Sequence, residues 1–248
     1  MSFAVPADAY DRFMGRWSAP LAVQFVDVAD VQAGQRVLDV GCGPGALTAV
    51  LVDRCGPASV TAVDPSESFV AAARVRLPDV DVRRAAADAL PFADGAFDAT
   101  LAQLVVHFLR DPVAGLRELA RVTRPGGVVA ACVWDHAEGL GPLAPFLAAT
   151  ADAHDESGLA GGRRGHLVEL FAAAGLHDVQ NVTLTVSRSF GGFDEWWELF
   201  GLGVGPAGAY VAGLSVDGRD ALRERCAALL PTGAFTLDAV AWTGTGRV

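Results

Sequence analysis

The sequence contains no lysine and no isoleucine, and all 19 of its basic residues are arginine. Without lysine, neither a lysine Schiff base nor a Walker-type phosphate-binding lysine is available. Alongside abundant Ala, Gly and Val, these two absences read as GC-rich coding rather than as function. Cysteine is also scarce, with four residues (Cys42, Cys55, Cys132 and Cys226) and no CxxC spacing. Disulfide and zinc readings both lose, and reduced thiols in a cytoplasmic protein are expected. Apolar runs such as residues 128–134 are strand-sized, far short of a membrane span. Residues 1–10 offer no basic n-region and no apolar h-region, so no export signal is expected. Positive charge is in deficit: 29 acidic residues set a net charge of −10. That balance counts against a nucleic-acid partner, because phosphate binding needs a basic footprint.

What remains is a chain of 248 residues, 52% hydrophobic, long enough for one large α/β domain or a domain with a cap. Strand and helix patterns alternate through its first half. Strands are expected at 36–40, 59–64, 80–87, 97–105 and 127–134, with helices at 47–55, 66–77 and 112–122. Turn signals at Gly56-Pro57, Pro78-Asp79, Asp94-Gly95 and Pro125-Gly126-Gly127 separate them. The near-continuous apolar strands fit a parallel sheet covered on both faces. The second half is less regular, with a helix at 163–174 stopped by Gly175 and strands at 179–190 and 234–243. Helices at 193–200, 207–214 and 219–230 fall between those two strands and suit a cap. The expected fold is a doubly wound, Rossmann-like, seven-stranded and mostly parallel α/β sheet with an added helical cap. Its organisation is an N-terminal helical segment over the cofactor site (1–35), a cofactor-binding core (36–135), and the remaining strands with the substrate cap (136–248), in one continuous domain.

The most informative segment is residues 36–51, RVLDVGCGPGALTAVL, followed by VTAVD ending at Asp64. A short apolar run, an acid, glycines at 41, 43 and 45 and a helical pattern come in that order. This is how a strand feeds a helix across a ligand-bearing turn, where glycine tolerates strained dihedrals and close ligand approach. Asp39, Asp64 and Asp88 each sit at an expected strand end. Asp64 lies at the spacing where an acid accepts from ribose hydroxyls, which fits NAD as well as S-adenosylmethionine. Asp39 favours the latter, since a carboxylate there repels a pyrophosphate and attracts an ammonium or sulfonium. Asp88 can accept from the adenine amine while a backbone N–H of Asp88-Ala89 meets the ring. Each acid alone is as well read as a helix cap or solvated turn; three at successive strand ends are not.

These segments, with AVDPS at 62–66, AADALPFADGAFD at 86–98, LAQLVVHFLRDP at 101–112 and RPGG at 124–127, resemble the class I S-adenosylmethionine-dependent methyltransferases of the small-molecule "type 11" group. The resemblance spans roughly residues 36–134 and implies S-adenosylmethionine as cofactor. It implies that Asp39 and the turn Gly41, Cys42, Gly43 and Gly45 hold the methionine end. Asp64, with Pro65 and Ser66, would take the ribose, Asp88 and Ala89 the adenine, and Gln103 would lie near the methionine moiety. The N-terminal segment, Tyr10 to Trp17, looks like the part of the family that folds over the cofactor. There Tyr10 would cover the sulfonium and Arg16 would pair with the methionine carboxylate. An amphipathic helix packing Phe13 and Trp17 against the domain explains it equally well.

Methyl transfer mainly requires alignment and exclusion of water, and needs a general base only when the acceptor arrives protonated. His107, just beyond the fourth strand, is the first candidate base; a histidine packed under Phe108 and Leu109 is the plain alternative. His136 is the second, with Asp135 in position to orient it. No carboxylate set completes a metal site there, so no metal is expected. His154 and His166 fall in the variable region and read equally as surface residues. Phe193, Trp196, Trp197 and Phe200 are either core or an aromatic wall for an apolar acceptor. LAQL replaces the Asn/Asp-Pro-Pro-aromatic stretch of amino-group methyltransferases, against methylation of nucleic-acid bases or glutamine. The sequence reading is therefore methyl transfer to a small, apolar or aromatic molecule in cytoplasmic biosynthesis, with oligomeric state open. A non-catalytic S-adenosylmethionine-binding protein, a nicotinamide-dependent oxidoreductase, or a cyclase using the same cofactor are the rivals.

Overall fold

The computed structural model describes residues 7–150 and 155–248. Seven strands form one sheet: β1 (Val37–Val40), β2 (Val60–Asp64), β3 (Asp81–Arg84), β4 (Phe97–Gln103), β5 (Thr123–Trp134), β6 (His177–Phe190) and β7 (Phe235–Arg247). Their order is β3-β2-β1-β4-β5-β7-β6. The first five pair in parallel, while β7 runs antiparallel to both β5 and β6. The order reverses beside β1, so its carboxyl end and that of β4 open the crevice where such sheets hold ligands.

Helices cover both faces. On one lie α1 (Ala7–Tyr10), α2 (Arg16–Val28) and α3 (Ala46–Cys55); α4 (Glu67–Arg76) follows β2. A π-helical turn, Asp11–Gly15, joins α1 to α2. α5 (Pro112–Val122) and α7 (His166–Ala174) pack against each other on the opposite face, with Leu116, Leu119, Leu167 and Phe171 buried there. Asp111 caps α5, its side chain accepting from the Ala114 N–H at 2.9 Å, and Pro112 starts the helix. Two apolar cores result, one per face, as the continuous apolar strands require. The two edge strands are the exceptions: β3 buries only Val82, and β6 only Leu184, Val186 and Phe190.

Differences from the sequence expectation are local. Pro125-Gly126-Gly127 does not end an element but lies inside β5, which begins at Thr123. The register slips there against β4, and Gly126 takes φ +73°, so the turn residues make a bulge instead of a break. A short helix, α6 (Ala144–Thr150), forms where no pattern was read, because burial of Phe146 and Thr150 holds it. Between β6 and β7 stand α8 (Phe193–Glu198), α9 (Gly205–Gly213) and α10 (Val216–Ala228), close to the expected positions. Their aromatic cluster is core: Trp196 and Phe200 are buried, Phe200 stacks on Phe146 at 4.5 Å, and Phe13 meets it edge-on at 5.7 Å. No helix among the described residues is long and apolar enough to cross a membrane.

Candidate functional site

The turn after β1 is built around two backbone ties. The N–H groups of Gly41 and Cys42 both donate to the Val63 carbonyl, at 2.8 and 3.0 Å. Gly41 has φ +73°, and a Cβ there would come within 2.4 Å of a Val105 methyl. Glycine is therefore required on two counts, conformation and space. Gly43, also at positive φ, aims its N–H at Asp64 Oδ2, 2.9 Å away, while Asp64 Oδ1 accepts from the Ser66 N–H at 2.8 Å. Burial raises the Asp64 pKa, and these two N–H groups oppose the rise. Each carboxylate oxygen keeps a lone pair for a further donor.

Beside this turn runs a cleft of about 850 Å³. Of the residues expected to hold a cofactor, it is lined by Tyr10, Gly41, Gly43, Asp64, Pro65, Ser66, Asp88 and Gln103. Gln103 donates from Nε2 to the Ser18 carbonyl at 2.9 Å, which ties α2 to the end of β4, and its Oε1 is sealed without a partner. Burial and the neighbouring Asp64 push the Tyr10 hydroxyl pKa upward, and its ring tilts against Phe69 at 5.2 Å.

Five expected residues stand elsewhere. Asp39 is only 1% exposed, does not line the cleft, and accepts from Thr48 Oγ1 at 2.6 Å. Burial raises its pKa to about 7, Asp64 adds to the rise, and Thr48 opposes it. Through Thr48 it holds α3 to β1 behind the turn. Cys42 is buried and Gly45 supplies the left-handed N-cap of α3. Arg16 pairs with Glu195 at 2.7 Å and lies 5.5 Å from the Phe190 ring centroid, outside the cleft. Ala89 is exposed, and its N–H already donates to the Ala86 carbonyl at 3.2 Å, so it is committed within the turn.

A second, apolar cavity of about 190 Å³ adjoins the cleft. Tyr10, Leu104 and Phe108 line both, so they form the wall between them. Leu104 holds φ +61°, a left-handed conformation that costs on the order of 1 kcal/mol outside glycine. Its N–H donates to the Cys132 carbonyl at 2.8 Å, fixing it at that wall. Val204 and Pro206, from the start of α9, complete the far side, so the cap does reach this cavity.

His107 and His136 meet here, their ring centroids 5.3 Å apart. His107 also lies 3.8 Å from the Phe108 ring, and burial with the neighbouring His136 lowers its pKa to about 3. It is thus neutral at any physiological pH. Asp135 does not orient His136. Its carboxylate is buried and accepts from Trp242 Nε1 at 2.9 Å and from the Glu138 and Leu140 N–H groups. Glu156 Oε2 stands 3.0 Å from His136 Nδ1, at ion-pair distance but without a hydrogen bond, both side chains being only 10% exposed. Sequence reasoning missed Glu156, because a loop residue 20 positions away gives no periodic or motif signal. It also treated Trp134, which lines the cavity, only as a strand end. His154 lies outside the described residues, and His166 accepts from the Gly161 N–H at 3.2 Å. Among the described residues no cluster of three or more His, Cys, Asp or Glu could hold a metal ion.

A protein-family model described as a methyltransferase domain matches residues 38–131. An uncharacterized methyltransferase of Schizosaccharomyces pombe is 31% identical over 51% of this chain and 50% of its own length. A demethylmenaquinone methyltransferase of Beutenbergia cavernae is 39% identical over 41% of this chain and 42% of its own. The chain thus spans about half the length of the curated relatives it matches. The solved structure of the YcgJ protein from Bacillus subtilis shares the fold, with TM-score 0.60 and 21% identity over 93% of this chain and 98% of that one. The glycine turn and the acid at the end of β2 fall within the matched span, so residues 38–131 are similar to that methyltransferase domain.

Proposed function

We propose that this protein transfers the methyl group of S-adenosylmethionine to a small apolar or aromatic acceptor, as a step of cytoplasmic small-molecule biosynthesis. One observation carries the reading: the cleft beside the glycine turn and the apolar cavity share a wall of Tyr10, Leu104 and Phe108. A donor and an acceptor bound in the two spaces would be neighbours.

The residues fit the cofactor. Asp64 has free lone pairs at the cleft for ribose hydroxyls, and the sealed Oε1 of Gln103 is an acceptor in want of a donor such as an ammonium. Asp88 is exposed at the cleft's edge, within the turn that follows β3. When bound, the cofactor supplies a methyl carbon already activated by its positive sulfur. The protein's own contribution is positional. Tyr10 and Leu104 border both spaces, and the apolar lining keeps competing water out. An apolar acceptor is supported by that lining, and a matched relative is named a demethylmenaquinone methyltransferase.

Calorimetric titration with S-adenosylhomocysteine, with NADH in parallel, tests this. Saturable binding of the first alone supports the reading; binding of NADH alone replaces it with an oxidoreductase. Turnover with an acceptor, identified by product mass, separates a methyltransferase from a non-catalytic binder and from a cyclase.

A further inference from the structure

The apolar cavity holds more polar chemistry than packing needs. Trp134 lines it and its Nε1 is sealed without a partner, as is Nε2 of His136. Leaving a buried donor without a partner is costly, so such groups point to something that satisfies them. His136 Nδ1 also makes no hydrogen bond, but it lies at ion-pair distance, 3.0 Å, from Glu156 Oε2, which leaves Nε2 as the imidazole atom for a ligand. An indole N–H can only donate, so the missing partner must offer an oxygen or another acceptor, and an ammonium offers none.

We infer that the acceptor is an apolar molecule carrying one ionisable hydroxyl, a phenol or an enol, whose proton passes to His136 Nε2 while Glu156 positions that imidazole. This rests on the methyl-transfer reading of the same site. The step balances: the acceptor O–H bond breaks and its proton goes to Nε2. An oxygen lone pair then forms the bond to the methyl carbon as the carbon–sulfur bond breaks. That bond's electron pair stays on sulfur, which becomes a neutral thioether, and the imidazolium returns its proton to solvent. Glu156 offsets the imidazolium charge in a site with little water. Trp134 Nε1 is the donor for the developing oxygen anion. His107, neutral at working pH, adds no competing positive charge. Among the described residues, the other titratable groups around the cavity are Tyr10, Asp155 and Asp135, the last already accepting from Trp242 and from backbone N–H groups.

The test uses the whole protein and three probes: 4-nitrophenol, nitrobenzene and 4-nitrobenzylamine. At a pH where free 4-nitrophenol is mostly neutral, the bound dye should show the phenolate band. It should also bind at least about tenfold more tightly than nitrobenzene or the amine, one pKa unit being a factor of ten. Glu156→Gln and His136→Gln should each lower the bound phenolate fraction about tenfold and leave nitrobenzene binding within twofold, a pattern that mere loss of packing would not produce. Equal binding of the dye and nitrobenzene, tighter binding of the amine, no binding of any probe, or a phenolate fraction untouched in Glu156→Gln overturns the inference. Binding of S-adenosylhomocysteine by the same preparations reports on the methyl-transfer reading separately. Its loss in the unsubstituted protein defeats that reading, whereas its retention with a failed dye test defeats only the acceptor class.

Discussion

The backbone N–H of Gly43 donates to Asp64 Oδ2 at 2.9 Å, joining the turn after β1 to the end of β2 across 21 residues. The same carboxylate accepts from the Ser66 N–H at 2.8 Å, so one side chain sets the shape of two neighbouring loops. Asp64→Ala removes both acceptors together with the group proposed for the ribose. Affinity for S-adenosylhomocysteine should fall at least about tenfold, the equivalent of one lost charge-assisted hydrogen bond. Calorimetry reads this directly, and an unchanged dissociation constant would reject the role of Asp64.

Gly41→Ala combines a positive φ with a Cβ only 2.4 Å from Val105 Cγ2. The clash falls on a methyl of a branched, half-buried side chain at the cleft wall, which has little room to turn. A loss of about 1–3 kcal/mol in urea unfolding is expected, with cofactor binding lost alongside. Restoration of stability by Val105→Ala in the same chain would identify that contact as the cause; without any restoration, the strain lies in the backbone alone.

Asp39 gives a pH signature. Burial raises its pKa in the folded protein to about 7, above the unfolded value of 3.8. A carboxyl raised in this way favours the fold fully below the unfolded pKa, and that contribution is lost as pH rises through the folded pKa. Asp39→Asn keeps an acceptor for Thr48 without the ionisation. Its stability relative to the unsubstituted protein should therefore grow between about pH 5 and pH 8, by on the order of 2 kcal/mol. Denaturant unfolding at the two pH values checks this. A difference that stays constant or shrinks over that range would mean that Asp39 is ionised throughout.

Arg16, paired with Glu195 at 2.7 Å and set against Phe190, ties the start of α2 to α8. Both side chains are partly exposed, so Arg16→Ala should cost less than about 1 kcal/mol. Raised salt should shrink that cost. A loss of S-adenosylhomocysteine affinity larger than the stability loss would return Arg16 to the cofactor and show that its Glu195 pair opens on binding.

Much of the fold was legible because its signals are local. Gly41, Gly43 and Gly45 follow a four-residue apolar strand, and only a backbone that must turn tightly needs glycine at that spacing. The cofactor side of the site was legible for the same reason, since strand ends and their acids lie in sequence order along the sheet. Legibility stopped where a residue's role depends on its neighbours in space. Asp39 and Asp64 look alike in sequence, each an acid at a strand end. The sheet turns Asp64 to the cleft and buries Asp39 against Thr48. Pro125-Gly126-Gly127 has the composition of a turn, but pairing with β4 and β7 on either side keeps it within a strand as a bulge.

The sequence by itself determined a parallel α/β core, the glycine turn and the acids that flank it, because hydrophobic period and glycine spacing act over a few residues. Only the tertiary structure decided what surrounds the histidines. Asp135, adjacent to His136, is drawn away by Trp242 from β7, a strand far along the chain. Glu156, from a loop without periodicity, takes its place. Side-chain partnership follows distance in space and the cost of burying charge unpaired, and neither is written in the order of residues.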